Sequence, residues 1–152
     1  MNNLLSEQKQ AIKEFYKSIE LLKEKNVIRS KVIFGDIGEF LSTIVFPNLE
    51  LVEERTQEGY DALDGNKKVQ IKFSDSSDAK NIDLGKPHLY DYLIVVLKKE
   101  SAHIYKKDMR LDHDYYFYIF NQNDLETLKT PLGEYKLSKT KHKRKAIKSL
   151  NL

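Results

Sequence analysis

One turn and the two short runs around it constrain this chain more than any other feature. Asp64, Gly65 and Asn66 form a tight-turn signal. Behind the turn, Lys67 to Phe73 alternates Val69, Ile71 and Phe73 against Lys68, Gln70 and Lys72, the pattern of a strand with one buried face. Ahead of it, Tyr60 to Leu63 reads as the partner strand. With Gly65 and Asn66 as the loop, Asp64 pairs with Lys67. Counting outward then sets Asp61 opposite Gln70, and Gly59 opposite Lys72. Directly opposed residues point to one face of a sheet. Asp61, Gln70 and Lys72 therefore share a face, while Tyr60, Ala62, Val69 and Ile71 share the other. A register slip of one residue would break this grouping.

Helices precede the hairpin. Ile12, Phe15, Tyr16, Ile19 and Leu22 recur at helical spacing, which predicts an amphipathic helix starting near Ser6 as N-cap and stopping at Asn26. A second helix is expected after Gly35, with Ile37, Phe40, Leu41, Ile44 and Val45 as its apolar stripe and Pro47 as its end. Leu49 to Glu54 is a short candidate strand. Ser74 to Pro87 reads as a loop with a short helical turn. Tyr92 to Leu97 is nearly all apolar, as expected of a strand buried on both faces. His103 to Tyr105 and Tyr115 to Phe120 are further strands. The aromatic run in Tyr115 to Phe120 fits sheet packing better than base stacking. Asn123 with Glu126 resembles a helix start, and Ser138 is the expected cap of a final basic helix running to Ser149. This order predicts the α/β class, a central mixed β-sheet flanked by helices.

The 152 residues are 40% hydrophobic and 32% charged, which suffices for one domain over 1–152 with a real core and argues against wholesale disorder. No run approaches the roughly 18 apolar residues of a membrane span, and Met1 to Leu5 does not read as a signal peptide. The absence of cysteine excludes disulfides, thiol catalysis and thiolate metal sites. It also fits a reducing cytosol, so a cytoplasmic location is expected. The net charge of +3 hides an asymmetry. From Lys129 onward eight Lys and Arg face one acid, Glu134, a local balance of +7 that leaves −4 on the rest. The basic C-terminal helix or tail, about 136–152, offers Lys139, Lys141, Lys143, Arg144, Lys145 and Lys148 to a polyanion such as a nucleic acid. A solvated terminal helix accounts for the same residues. The four histidines lack zinc spacing, and Gly85-Lys86 lacks the upstream glycine of a phosphate loop.

A carboxylate, an amide and an ammonium converging beside a sheet are unusual for a purely structural strand. Carboxylate oxygens suit Mg²⁺. A nearby lysine can steady charge that develops on a water or a phosphate. Asp61 followed by Gln70-Ile71-Lys72 resembles the D…(D/E/Q)-x-K signature of the PD-(D/E)XK nuclease superfamily. Gly35-Asp36-Ile37-Gly38-Glu39-Phe40 resembles that family's first core helix, and Tyr92 to Leu97 its fourth core strand. The resemblance covers about Val32 to Leu97 and carries a Q-x-K variant of the signature.

The resemblance implies a restriction-endonuclease-like core ordered helix, three strands, helix, strand. It implies a catalytic set of Asp61, Gln70, Lys72 and Glu39. Asp61 is then the main metal carboxylate, Glu39 a second ligand, Gln70 a ligand through its carbonyl oxygen, and Lys72 the residue that positions or activates the water. The cofactor implied is Mg²⁺ or Mn²⁺, and the activity is endonucleolytic hydrolysis of DNA, most simply double-stranded, in restriction, phage defence or repair. Cutting both strands would need two sites, hence a homodimer. The helical wheel puts Glu39 about 200° from Ile37, opposite the apolar stripe, so Glu39 reaches the site only if its helix crosses the sheet edge with Gly38 allowing close approach. Two other readings stay open: a non-catalytic nucleic-acid-binding module on the same fold, and a protein-binding accessory factor.

Overall fold

The structure, a computed structural model, describes residues 2–30, 32–53, 59–78, 80–104, 112–138 and 146–152. Helix α1 spans Asn2–Glu24. It starts upstream of Ser6, which is therefore a helical residue and not the cap, because Asn2 to Leu5 contains no residue that breaks a helix. The stop at Asn26 is as the sequence suggests. Asn26 takes φ +58, its N–H reaches Lys23 O at 3.0 Å, and the Val27 N–H reaches Leu22 O at 2.9 Å. These two bonds make the paired closure in which a left-handed residue ends a helix. Among the described residues of α1, those near its end are covered. Ile19 is buried, whereas Ile12, Phe15 and Tyr16 stay more than half exposed.

Helix α2 covers Ile33–Val45, beginning two residues before Gly35 and ending before Pro47. Strand β1 is Leu49–Leu51, β2 is Ala62–Asp64 and β3 is Lys67–Ser74. Two-residue β4, Ile82–Asp83, is followed by a 3₁₀ turn at Pro87–Leu89 and then β5, Tyr92–Lys98. Strand β6 is Tyr115–Phe120, α3 is Gln122–Glu126, β7 is Lys136–Leu137 and β8 is Lys148–Leu150. The architecture is mixed α/β. A six-stranded sheet runs β1-β2-β3-β5-β6-β8, and β4 with β7 forms a small second sheet. β3 and β5 are parallel, and the other neighbours in the large sheet are antiparallel.

β5 is buried on both faces, as its composition predicts. Ile94 and Val96 join Leu41, Val69, Ile71 and Phe117 under α2. Leu93, Val95 and Leu97 join Leu84, Tyr118, Phe120, Leu125 and Leu137 on the opposite face, beneath α3 and the small sheet. The aromatics of β6 divide between these two cores, which is why that run is core and not a stacking platform.

Three expectations are corrected. His103 and Ile104 lie in a turn after β5 and form no strand, and Tyr105 lies outside the described residues. The first helical residue after β6 is Gln122, with Asn121 as its cap: Asn121 Oδ1 accepts from the Asp124 N–H at 2.8 Å, and the Asn121 N–H is returned to Asp124 Oδ2 at 2.9 Å. The expected basic helix does not reach Ser149. Lys148–Leu150 is extended and pairs Ser149 with Tyr116 and Leu150 with Tyr115. The exposed edge of β6 offers a full set of backbone partners, and that pairing overrides a weak helical preference. Lys139, Lys141, Lys143, Arg144 and Lys145 lie outside the described residues.

α2 sits close against β3. A Cβ built on Gly38 would stand 2.8 Å from Phe73 Cβ. Gly38→Ala is therefore expected to lower unfolding stability by about 1–3 kcal/mol, the usual cost of overpacking. Chemical denaturation measures it, and an unchanged midpoint would mean that α2 can move away from β3 without loss.

Candidate functional site

The hairpin register is the one counted from the turn. Asp64 pairs with Lys67, Leu63 with Lys68 and Ala62 with Val69. The ladder then changes at Asp61: the expected pairs Asp61–Gln70 and Gly59–Lys72 are not part of it, and Tyr60 packs against the core opposite to that of Ala62, Val69 and Ile71. The Asp61 N–H donates to Val69 O at 2.8 Å, and its own carboxylate, through Oδ2, accepts the Ile71 N–H at 2.9 Å. A side-chain oxygen thus stands where a backbone carbonyl of β2 would otherwise sit. β2 can leave β3 at this point without orphaning the Ile71 amide. Asp61 therefore spans Gln70, bonded to its neighbours on both sides.

Gln70 completes this corner. Its amide end lies between two acceptors, so the nitrogen faces them. It donates to Asp61 Oδ2 at 3.2 Å and to Gly59 O at 2.9 Å. Gly59 takes φ +89, and a Cβ there would stand 2.4 Å from Leu89 Cβ. Only glycine meets both conditions, so the approach to Asp61 is shaped by Gly59 packing against the 3₁₀ turn. Lys72 is half-buried two residues along from Gln70, on the same face of β3. Its neighbour on β5 is the buried Val95.

Glu39 arrives from α2, across the edge where β2 departs. The wheel places it away from the apolar stripe, but it is only 8% exposed. The flank of α2 that carries Glu39 is covered by the loop after α1 and not by solvent. Arg29 in that loop donates from Nη2 to Glu39 Oε2 at 2.9 Å, and from Nη1 to Val52 O at 3.0 Å. Asp36, 1% exposed, fixes the loop. Its Oδ2 accepts from the Arg29 N–H at 2.7 Å, the Ser30 N–H at 2.7 Å and Ser30 Oγ at 3.1 Å. A carboxylate in the first turn of α2 is also favoured by the helix dipole.

Glu39 and Asp61 meet. Burial raises the Glu39 pKa above its ordinary 4.5, the negative charge of Asp61 raises it further, and a hydrogen bond with Asp61 adds to this, while Arg29 opposes the rise. Two carboxylates held together in a half-buried corner form a place that a cation would relieve. The donors are all oxygen, which fits Mg²⁺ or Mn²⁺. Among the described residues no group of three or more His, Asp or Glu forms, so a cation here would rest on Glu39, Asp61 and neutral oxygens.

Glu39, Asp61 and Gln70 are thus brought together, and Lys72 lies on the same face of β3 as Gln70. Gln70 turns its amide nitrogen to Asp61 Oδ2 and Gly59 O. Lys148 lies on edge strand β8, three strands from β3, beside a cleft bordered by Asp64, Tyr92 and Ile119. Arg29, Asp36 and Gly59 complete the site and carried no role in the sequence reading. A loop arginine ten residues before a helical glutamate leaves no periodic signal. No family model and no curated protein matches the chain.

A pH dependence follows from Glu39. Its folded pKa is raised, so the folded state holds the proton more tightly than the unfolded chain does. The associated stability is fully present below 4.5 and is lost as pH rises through the folded value. In thermal melts without divalent ions, wild type should lose this component as pH rises and Glu39→Gln should not. Superimposable pH profiles of the two proteins would show that the coupling is absent.

Proposed function

We propose that the chain is a metal-dependent endodeoxyribonuclease of the PD-(D/E)XK type. The observation that carries this reading is the convergence of Glu39 and Asp61, from different elements, at the point where β2 parts from β3. The order of α2, β1, β2 and β3 followed by the parallel strand β5 supports a restriction-endonuclease-like core. The helix which that core places between its third and fourth strands has no counterpart among described residues 75–78 and 80–91, where β4 and a 3₁₀ turn stand instead.

In this mechanism Glu39 and Asp61 would hold Mg²⁺ or Mn²⁺. When bound, such a cation neutralises phosphate charge and lowers the pKa of its water. Asp61 is kept in place by the Ile71 amide and by Gln70, and neither bond adds charge. Lys72 orients a water or a phosphate oxygen and stabilises the negative charge that develops on it. Helix α2 and strand β3, packed in one hydrophobic core through Leu41, Val69 and Ile71, hold Glu39, Gln70 and Lys72 on rigid elements, which catalysis by positioning requires. The basic residues from Lys139 to Lys148 would add contacts to the DNA backbone that position but do not read sequence. Restriction, phage defence or repair, a homodimer and a cytoplasmic setting belong to the same reading.

One observation favours a second reading, a non-catalytic nucleic-acid-binding module. Gln70 is neutral, and its amide serves Asp61. The two readings separate on supercoiled plasmid and branched DNA supplied with Mg²⁺ or Mn²⁺. The nuclease reading expects cleavage by wild type that is abolished by EDTA. Asp61→Ala and Lys72→Ala should each lose roughly 100-fold or more, the scale of removing a single charge-stabilising group. Folded but inert wild type that still binds DNA, with salt-sensitive affinity, would favour the binding module.

A further inference from the structure

Arg29 is held on two sides by groups far from it in sequence, Glu39 Oε2 through Nη2 and Val52 O through Nη1. Its side chain is 29% exposed and that of Glu39 11%. An exposed ion pair would give little return for ordering so long a side chain. Here the loop is built to present it, since Asp36 gathers the Arg29 and Ser30 amides and the Ser30 hydroxyl at one oxygen. A guanidinium carries five donors in a planar fork, and these contacts use two of them. The fork matches the oxygens of a phosphodiester. Its present partner, Glu39, is also the carboxylate that would hold the cation.

We propose that Arg29 is a phosphate-positioning residue of this site, docked on Glu39, so that cation binding at Glu39 and phosphodiester binding at Arg29 reinforce each other. The inference rests on the metal-site reading. A cation and the guanidinium draw on the same carboxylate charge. A phosphate that engages Arg29 leaves that charge to the cation, and a cation on Glu39 loosens the hold on Arg29. Coupling of this kind is reciprocal. A lysine could not serve in the same way, because one ammonium cannot span Glu39 and Val52 O while offering a planar fork.

The test is calorimetric titration of Mn²⁺ into wild type, Arg29→Met and Arg29→Lys. Each is run with and without a duplex oligonucleotide of cleavage-resistant phosphorothioate linkages, after circular dichroism melts establish folding. Wild type should bind Mn²⁺ more tightly when the duplex is present, by roughly fivefold or more. Arg29→Met should bind Mn²⁺ more tightly than wild type without the duplex and should gain little from adding it. Arg29→Lys should keep only part of the gain. Equal Mn²⁺ affinity and an equal duplex gain in wild type and Arg29→Met would overturn the role of Arg29 and leave the metal site standing. If Arg29→Met does not fold, wild-type behaviour of Arg29→Lys overturns it. Wild type that binds no Mn²⁺, or binds it as well after Glu39→Gln, ends the metal-site reading itself.

Discussion

The site depends on one hydrogen bond, from the Ile71 amide to the carboxylate of Asp61. A strand that leaves a sheet normally strands an amide on its neighbour, and a buried unpaired amide costs about 1–3 kcal/mol. Asp61 removes that penalty with its own side chain. β2 can therefore end at Ala62 while β3 continues to Ser74 beside β5. Glu39 meets Asp61 at this point. Asp61 is thus a structural acceptor and an electrostatic partner at once, and these roles can be separated chemically. Asparagine keeps an oxygen for Ile71 and discards the charge. Alanine discards both, so its effects mix folding with chemistry.

The second constraint is steric. Glu39 can touch Asp61 only because α2 lies close to β3, and it lies close because Gly38 has no Cβ to meet Phe73. On the other side of the corner, Gly59 fits under Leu89 in a conformation other residues avoid. Two glycines therefore set the approach of the two segments that deliver the carboxylates. Their importance is geometric, and neither provides a polar side chain.

The parts of this arrangement legible in the sequence are those governed by local rules. A two-residue turn fixes the register of Ala62–Asp64 against Lys67–Val69, and an uninterrupted apolar run marks β5 as doubly buried. The same local rules fail where long-range pairing decides. Lys148–Leu150 becomes a strand because β6 offers it an edge, which no window around Ser149 records. Ser6 fails as a cap because none of the residues before it breaks a helix. A helical wheel puts Glu39 on the solvent side because the wheel knows the apolar stripe but not the loop that covers the opposite flank. That loop is organised by Asp36, two of whose partners are backbone amides, and backbone amides leave no mark in a sequence.

Partial charge compensation helps such a corner to fold before any ligand arrives. Glu39 and Asp61 bring two negative charges, and Arg29 offsets one of them at Glu39, so the formal sum is −1. Gln70 supports Asp61 without disturbing that sum, which an acid at the same position would do. A third carboxylate beside Glu39 and Asp61 would push the Glu39 pKa further up and make folding depend more strongly on a bound cation. With a neutral amide there, a single divalent ion would turn the corner to +1. On the proposed reading, that charge suits the single negative charge of a phosphodiester. On the proposed reading, the glutamine favours one cation over two.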